Sequence, residues 1–140
     1  MTEKYEVLGK YIKDMSSETA DVETYIFVKD YISKYQLSID INSKAIKNKM
    51  IEVNTIMKFE DKEERKKKTY FEINYTTIIR VDDEVKEKKE LEKIILCDVQ
   101  MAIYPDLEKS LLDLLHNSGY PNVKFEKKID FEKLYNQKFN

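Results

Sequence analysis

Residues 104–135 carry the sequence YPDLEKSLLDLLHNSGYPNVKFEKKIDFEKLY, in which both ends of an amphipathic helix are marked. Pro105 suits the first position of a helix, where its missing N–H costs nothing, so we expect the helix to begin there. Gly119 and Pro121 predict its end, because glycine accepts a left-handed conformation and proline cannot continue a helix. Leucines at i, i+4, i+7 and i+8 form one apolar stripe, which needs an apolar surface to cover: Leu107, Leu111, Leu114 and Leu115.

The segments before this helix alternate in the manner of β-strands. Residues 5–18 mix β-branched and aromatic residues with charges and predict a first strand, although its alternation is imperfect. Apolar residues then alternate at 36–42, 51–59 and 69–81, and the charged linker between the last two predicts a solvated hairpin loop. We interpret residues 19–34 as a crossing segment rather than a regular element, although their periodicity also allows a short helix. Consecutive strands with short connections indicate an antiparallel sheet with one buried face.

The remaining segments complete an α+β pattern. The Lys/Glu-rich residues 82–93 favour either a solvated helical lead-in or a mobile loop, and the apolar residues 94–103 are ambiguous. Residues 129–138 predict a second short helix, capped by Asp130. Strands first and helices last is typical of an α+β fold, and the length predicts a single domain over residues 1–140.

The composition excludes several classes of function. A net charge of −2 gives no field that would attract nucleic acid or an anionic membrane, so neither is expected as a partner. The two glycines, Gly9 and Gly119, are too few for a phosphate-cradling loop, and the single cysteine, Cys97, excludes an internal disulfide and a multi-cysteine zinc site. We therefore expect no cofactor and no metal. No apolar run predicts a secretion signal or a membrane span, so the expected location is the cytoplasm.

Several short motifs, in order along the chain, resemble those of a known family. They are YIKDMSSE at 11–18, FVKDY at 27–31, Phe71-Glu72-Ile73 followed by Ile78, Tyr104-Pro105, Tyr120-Pro121 and IDFEKLY at 129–135. In this arrangement the chain resembles the SecB protein-export chaperones. The resemblance implies a four-stranded antiparallel sheet covered on one face by a long helix, followed by a short C-terminal helix. It also implies a non-enzymatic holdase that binds unfolded preproteins and assembles as a homotetramer, a dimer of dimers.

Two departures from the family pattern favour a second interpretation. The net charge is nearly neutral where the family is usually strongly acidic, and no acidic tail follows Tyr135. These features favour a SecB-like chaperone dedicated to one client, such as the antitoxin of a toxin–antitoxin pair. In that interpretation the chain resembles the same family but serves a single client.

The resemblance implies two binding surfaces. If the sheet buries the odd-numbered residues of its first and last strands, then Asp14, Glu18 and Glu72 share the open face. Together with Tyr70, these three acids stand at the positions that match the family's binding site for the translocation motor SecA. An acidic open face suits a basic partner, although ordinary solvated residues of an exposed sheet would look the same.

The second implied surface is a client groove. Matching positions place it at the second strand, the crossing segment and the last helix: Tyr31, Tyr35, Leu37, Ile39, Leu134 and Tyr135. Tyrosine offers apolar area with a polar tip, which suits a surface that is wet when empty. For Leu37 and Ile39, simple core packing is an equal alternative. Leu112 lies off the leucine stripe. A subunit contact would explain it, although an isolated exposed leucine also needs no explanation.

A third interpretation belongs to a different class, a small-molecule-binding or enzymatic α+β domain. Its only candidate residues are Cys97 and His116, the single histidine. We expect Cys97 to be a buried small hydrophobe, because it lies in an apolar run. His116 lies near the C-terminus of the predicted helix, where a surface role is expected.

Overall fold

The computed structural model describes residues 4–125 and 129–139, and it confirms the α+β fold. Strand β1 (Tyr5–Glu18) is followed by helix α1 (Val22–Tyr31) and a 3-10 turn (Ile32–Lys34). Strands β2 (Gln36–Ala45), β3 (Met50–Glu60) and β4 (Tyr70–Val81) come next. The long helix is continuous and consists of helix α2 (Lys88–Lys93), a π-helical turn (Ile94–Asp98) and helix α3 (Val99–Asn117). The last described element is helix α4 (Phe131–Phe139).

The four strands form one antiparallel sheet in the order β1-β4-β3-β2. Two hairpins join β2 to β3 and β3 to β4, and β1 pairs with β4 from the other side. In β3 and β4 the predicted alternation is confirmed, since Val53, Met57, Ile73 and Ile79 are fully buried. These residues define the covered face of the sheet, and the opposite side is the open face.

Two β-bulges explain why the alternation in β1 was imperfect. The pairing of β1 with β4 shifts between Val7 and Gly9 and again between Ile12 and Asp14. Each bulge inserts one residue and so moves the following side chains to the other face. Ile12 pairs with Tyr75 and lies on the covered side, whereas Tyr11 pairs with Thr76 and lies on the open face. The expectation that the odd-numbered residues of this strand share a buried face is therefore wrong for Tyr11.

The long helix begins well before the predicted start at Pro105, which is a correction. Residues 88–93 are helical, as one of the two interpretations proposed, and so is the ambiguous run 94–103. Pro105 lies inside the helix, where it cannot donate to the carbonyl one turn earlier. That carbonyl belongs to Met101, and both residues are exposed, so solvent can satisfy it. No helix within the described ranges is long and apolar enough to cross a membrane.

The leucine stripe covers the sheet as predicted. Leu107, Leu111 and Leu115 are fully buried, and Leu114 is half-buried at the edge of the stripe. Full burial of such a side chain contributes roughly 1.5–3 kcal/mol before entropy is counted. A buried polar pair crosses this interface, because the hydroxyl of Thr55 on β3 donates to Oε1 of Gln100 at 2.9 Å. The Gln100 amide in turn donates to the Ile95 carbonyl at 3.1 Å, at the π-helical turn.

The crossing segment is a regular helix, so the first interpretation of residues 19–34 was wrong. Asp21 caps α1, and its Oδ1 accepts the Thr24 N–H at 2.7 Å. Thr24 and Val28, one turn apart, are buried, but Val22 and Ile26 remain 68% and 58% exposed. The apolar residues of this helix are spread around all of its sides, so its sequence contains no single apolar stripe that would favour a helix.

Candidate functional site

A groove of about 870 Å³ opens between α1 with its 3-10 turn, the ends of β2 and β3, and the loop that follows the long helix. Its lining consists of Lys29, Ile32, Ser33, Tyr35, Leu37, Phe59 and residues 119–125. The lining mixes aromatic and aliphatic side chains with a few polar groups. This is the usual composition of sites that bind apolar ligands.

The floor of the groove is an aromatic cluster joined to the core. The ring centroid of Phe59 lies 5.6 Å from that of Tyr35 and 5.5 Å from that of Phe125. Tyr120 packs edge-on against Phe71, with ring centroids 5.8 Å apart. These spacings are in the favourable range for aromatic pairs, so the floor is formed before any ligand arrives.

Two of the floor tyrosines differ in their polar contacts. The Tyr35 hydroxyl donates to the Thr69 carbonyl and accepts the Thr69 N–H, both at 3.2 Å. The buried Tyr120 hydroxyl has no hydrogen-bond partner among the described residues. Burial raises the pKa of Tyr35, and it raises the pKa of Tyr120 to about 12. Both hydroxyls therefore stay neutral at physiological pH.

The two walls of the groove are held together at Gly119. Tyr25 on α1 donates its hydroxyl to the Gly119 carbonyl at 2.8 Å, and its ring lies 5.4 Å from that of Tyr120. Gly119 has φ +107°, and an added Cβ there would lie 2.4 Å from Cε1 of Tyr25. Farther along this loop, Nε2 of His116 lies 3.0 Å from the Val123 carbonyl oxygen. Only glycine allows α1 and the 119–125 loop to approach so closely.

The structure brings together two of the six predicted client-binding residues, because Tyr35 and Leu37 both line the groove. Tyr31 does not line it; its ring stacks against Phe27 at 4.8 Å and lies under the Arg65 guanidinium at 4.6 Å. Ile39 lies two residues after Leu37 on the covered face of β2, and its half-buried side chain packs against the core.

Leu134 and Tyr135 lie on α4, away from the groove. Phe131 on the same helix packs against Tyr104, with ring centroids 5.4 Å apart, and the Tyr135 hydroxyl donates to the Lys89 carbonyl at 3.3 Å. Tyr104 is roughly 20 Å along the helix axis from the end of α3, given a rise of 1.5 Å per residue. The groove lining also includes residues that the sequence did not indicate as client-binding: Phe59, Tyr120, Val123 and Phe125. An apolar and aromatic run directly after the helix-ending glycine was the available signal for three of them.

The four residues predicted to bind SecA share the open face of the sheet. Glu18 pairs directly with Tyr70, Ser16 pairs with Glu72, and Asp14 pairs with Asn74. They therefore follow one another along the β1–β4 pair. Glu72 also has a lysine neighbour, since Nζ of Lys58 lies 3.4 Å from its carboxylate. We call Asp14, Glu18, Tyr70 and Glu72 the acidic face.

Strand β1 exposes an apolar edge. Its free side has no partner strand among the described residues, and exposed apolar residues lie along both faces of the strand: Val7, Leu8, Tyr11, Ile12 and Met15. Exposed apolar patches on edge strands mark sites of association. Leu112, the predicted subunit contact, is half-buried and packs partly against the core.

Cys97 and His116 are not neighbours. They are separated by about five helical turns, which is roughly 28 Å along the long helix. Cys97 is buried as expected, its Sγ lies 3.8 Å from Sδ of Met101, and burial raises the pKa of its thiol. His116 is half-buried near the end of α3. No group of three or more metal-ligating side chains occurs in the part of the chain that the structure describes.

Comparison with known proteins identifies the family. The family model described as "Preprotein translocase subunit SecB" matches residues 1–140. A relative from Pelagibacter ubique named "Putative protein-export protein SecB" is 64% identical over 140 residues, covering 100% of both chains. The protein-export protein SecB of Methylocella silvestris is 21% identical over 131 residues, covering 94% of this chain and 80% of its own.

A solved structure has the same fold. It is a SecB-like chaperone from Mycobacterium tuberculosis, in complex with a ChAD peptide from an antitoxin. The two folds match with a TM-score of 0.65 at 10% sequence identity, over 89% of this chain and 91% of the other. The family match over the full length, the 64% identity and the shared fold agree, and this chain belongs to the SecB family.

Proposed function

We propose that this chain is a non-enzymatic, cytoplasmic SecB-like chaperone that holds unfolded polypeptides for export by the Sec translocase, acting as one domain over residues 1–140. The observation that carries the proposal is the preformed aromatic groove, whose neutral hydroxyls and apolar rings suit segments that a folded client would bury. Family membership supports the export role. Binding needs no cofactor, because contact with apolar side chains releases hydration water by itself.

Aggregation of an unfolded client tests the holdase activity. Phe125→Ser removes a half-buried ring from the groove and leaves the buried floor residues in place. We expect the wild-type protein to suppress light scattering at stoichiometric amounts and Phe125→Ser to suppress it less. Ile26→Ser, an exposed apolar position outside the groove lining, is the matched control and should behave as the wild type. Failure of the wild type, or equal loss in the control, would contradict the proposal.

We propose that the acidic face transfers the client to SecA. Its residues follow one another on an exposed sheet surface, as a basic partner would require for steering and register. Replacing Asp14 and Glu72 by alanine should weaken SecA binding in a pull-down and leave suppression of client aggregation unchanged. Asp113→Ala with Glu132→Ala, at exposed positions on α3 and α4, removes the same charge elsewhere. If that pair weakens SecA binding equally, the acidic face has no special role.

A chaperone dedicated to one client remains the second candidate. The near-neutral charge favours it, and the M. tuberculosis neighbour was solved with an antitoxin peptide. The two candidates differ in what the protein binds. A dedicated chaperone would bind one partner tightly and unrelated unfolded proteins weakly, and alanine at Asp14 and Glu72 would leave that binding unchanged. Affinities for a panel of unfolded clients therefore separate them.

We also propose that the chain assembles as a homotetramer, a dimer of dimers, through the apolar edge of β1, with Leu112 at a further contact. The exposed group on β1 and the exposed Met101 of α3 supply the apolar area. Light scattering should give about four times the 16.8 kDa chain mass. Ile12→Lys should reduce that mass, whereas Val22→Lys on α1 should not. A monomeric wild type would rule out the assembly and leave the groove proposal standing.

A further inference from the structure

Two lysines are the charged residues of the groove lining, and they stand on opposite walls. Lys29 belongs to α1, and Lys124 belongs to the loop after the long helix. Both side chains are exposed, and neither forms a salt bridge with another described residue. No aspartate or glutamate occurs among the described residues that line the groove. The groove is therefore locally positive in a chain whose net charge is −2.

Two described carboxylates close to groove residues in space or in sequence, Asp61 and Asp30, do not cancel this charge. Asp61 lies near the groove residue Tyr35, but it is buried. Both of its carboxylate oxygens accept hydrogen bonds from the Arg65 guanidinium, at 2.6 and 2.5 Å. Asp30 follows Lys29 on α1, and adjacent residues of a helix do not face each other. Among the described residues, neither carboxylate therefore neutralises the two lysines at the mouth of the groove.

We propose that the groove selects client segments in which an aspartate or glutamate stands beside aromatic or aliphatic side chains. This inference rests on the proposed function, because it names the class of polypeptide that the same groove holds. The apolar side chains would enter the aromatic floor, and the carboxylate would stay at the wet rim between Lys29 and Lys124. Lysine suits this role, because its flexible stem lets a point charge follow a carboxylate in many positions.

The size of the effect follows from the exposure of both lysines. Ion pairs at exposed sites are individually weak, so two of them should strengthen binding by roughly 2- to 10-fold over a neutral segment. A segment with lysine in place of the acid should bind more weakly than the neutral one. The differences should shrink as ionic strength rises, because salt screens exposed charges over about 10 Å at 0.1 M.

Three labelled peptides test the inference by fluorescence anisotropy. They share one aromatic and aliphatic core and carry glutamate, glutamine or lysine at the same flanking positions. The wild-type chain should bind the glutamate peptide most tightly and the lysine peptide most weakly. Lys29→Gln with Lys124→Gln should remove this order while the glutamine peptide still binds. Lys44→Gln with Lys109→Gln, at exposed positions outside the groove lining, removes the same charge and should keep the order.

The outcomes distinguish failure of the charge selection from failure of the groove as the client site. If the glutamine peptide binds but the three affinities are equal, or their order survives the Lys29 and Lys124 substitutions, the charge selection is wrong and the groove proposal stands. If no peptide binds the wild type at any ionic strength, the groove is not the client site and both proposals fail. If the Lys44 and Lys109 substitutions also remove the order of the three peptide affinities, the effect depends only on overall charge, and the inference is overturned.

Discussion

Replacing Gly119 by alanine perturbs the point at which the two walls of the groove meet. At φ +107° an alanine is strained, and its Cβ would lie 2.4 Å from Cε1 of Tyr25 and 3.1 Å from Cζ. Contacts below 3 Å are not tolerated, so the Tyr25 ring must move away. That movement breaks the 2.8 Å hydrogen bond from the Tyr25 hydroxyl to the Gly119 carbonyl.

The destabilisation has two parts. Holding a non-glycine residue at this φ costs roughly 1–3 kcal/mol. Losing the Tyr25 hydrogen bond adds about 0.5–1.5 kcal/mol. We expect Gly119→Ala to lower the free energy of unfolding by roughly 2–4 kcal/mol, a large part of the ~5–15 kcal/mol that keeps a domain folded. The groove should also lose affinity for clients, because α1 no longer rests on the 119–125 loop.

Urea denaturation of four proteins checks this reasoning: the wild type, each single variant and the double variant with Tyr25→Ala. Removing the ring relieves the overlap and leaves only the backbone strain, so Gly119→Ala should cost less in the Tyr25→Ala background. Gly9→Ala is the matched control, since an added Cβ there meets no atom within 4 Å and its φ is not positive. An equal cost in both backgrounds, or a Gly119→Ala cost as small as that of Gly9→Ala, would refute the argument.

Three further predictions concern stability. Thr55→Val leaves the buried side-chain oxygen of Gln100 without the hydroxyl that donates to it at 2.9 Å. The free energy of unfolding in urea should fall by about 1–3 kcal/mol, and Thr55→Ser should restore most of the loss. The pKa of Tyr120 is raised from 10.0 to about 12, so its contribution to stability should be complete below pH 10 and disappear as pH rises to about 12. Denaturation midpoints across that range should fall less steeply for Tyr120→Phe. Arg65→Lys weakens the bonds to Asp61, so hydrogen exchange in residues 61–69 should quicken while the sheet core is unchanged.

The sheet could be predicted because its signal is local. In β3 and β4 every second residue faces the core, and the buried positions Val53, Met57 and Ile73 were visible as an alternation. The bulges of β1 could not be predicted, because an edge strand half open to solvent accepts apolar residues on both faces. A bulge is defined by the partner strand, so its position appears only once β4 is placed beside it.

The helices were predicted less well, for reasons that concern solvent. Pro105 was interpreted as a helix start because an interior proline removes one hydrogen bond, yet here the freed carbonyl of Met101 lies on an exposed side. Helix α1 was only the second interpretation of residues 19–34, because its apolar residues are not confined to one stripe. Two of them, Val22 and Ile26, face solvent in the isolated subunit.

The groove itself needed the tertiary fold. Tyr35, Phe59, Tyr120 and Phe125 come from three separate segments, and no spacing in the sequence indicates that their rings meet. Resemblance to the family selected Tyr35 and Leu37, which line the groove. It also selected Leu134 and Tyr135 on α4, which the structure places on another part of the surface, so their role in client binding stays a prediction.

The groove combines a rigid floor with a wall that should be easier to open. Phe59 and Phe71 are buried within the sheet core, and their backbones belong to paired strands. Residues 121–125 of the loop lie outside the paired strands and depend on a few contacts, including those of His116 with Val123 and of Phe125 with Phe59. Tyr120 is instead buried against Phe71 and belongs to the floor. Segments with few buried contacts open at lower free energy than core strands. We therefore expect clients of different shape to be accommodated by the loop, while the floor stays fixed.

Hydrogen exchange with and without a client peptide tests this division. In the free protein the Val123 amide, which donates to the Tyr120 carbonyl at 3.3 Å, should exchange much faster than the amides of β3 around Phe59. Client binding should slow exchange across residues 119–125 and leave β3 unchanged, because only the wall gains contacts. Slowing that appears mainly in β1 would instead place the client on the open edge of the sheet. A uniform slowing would mean that the whole subunit is stabilised as one unit and that the wall does not move independently.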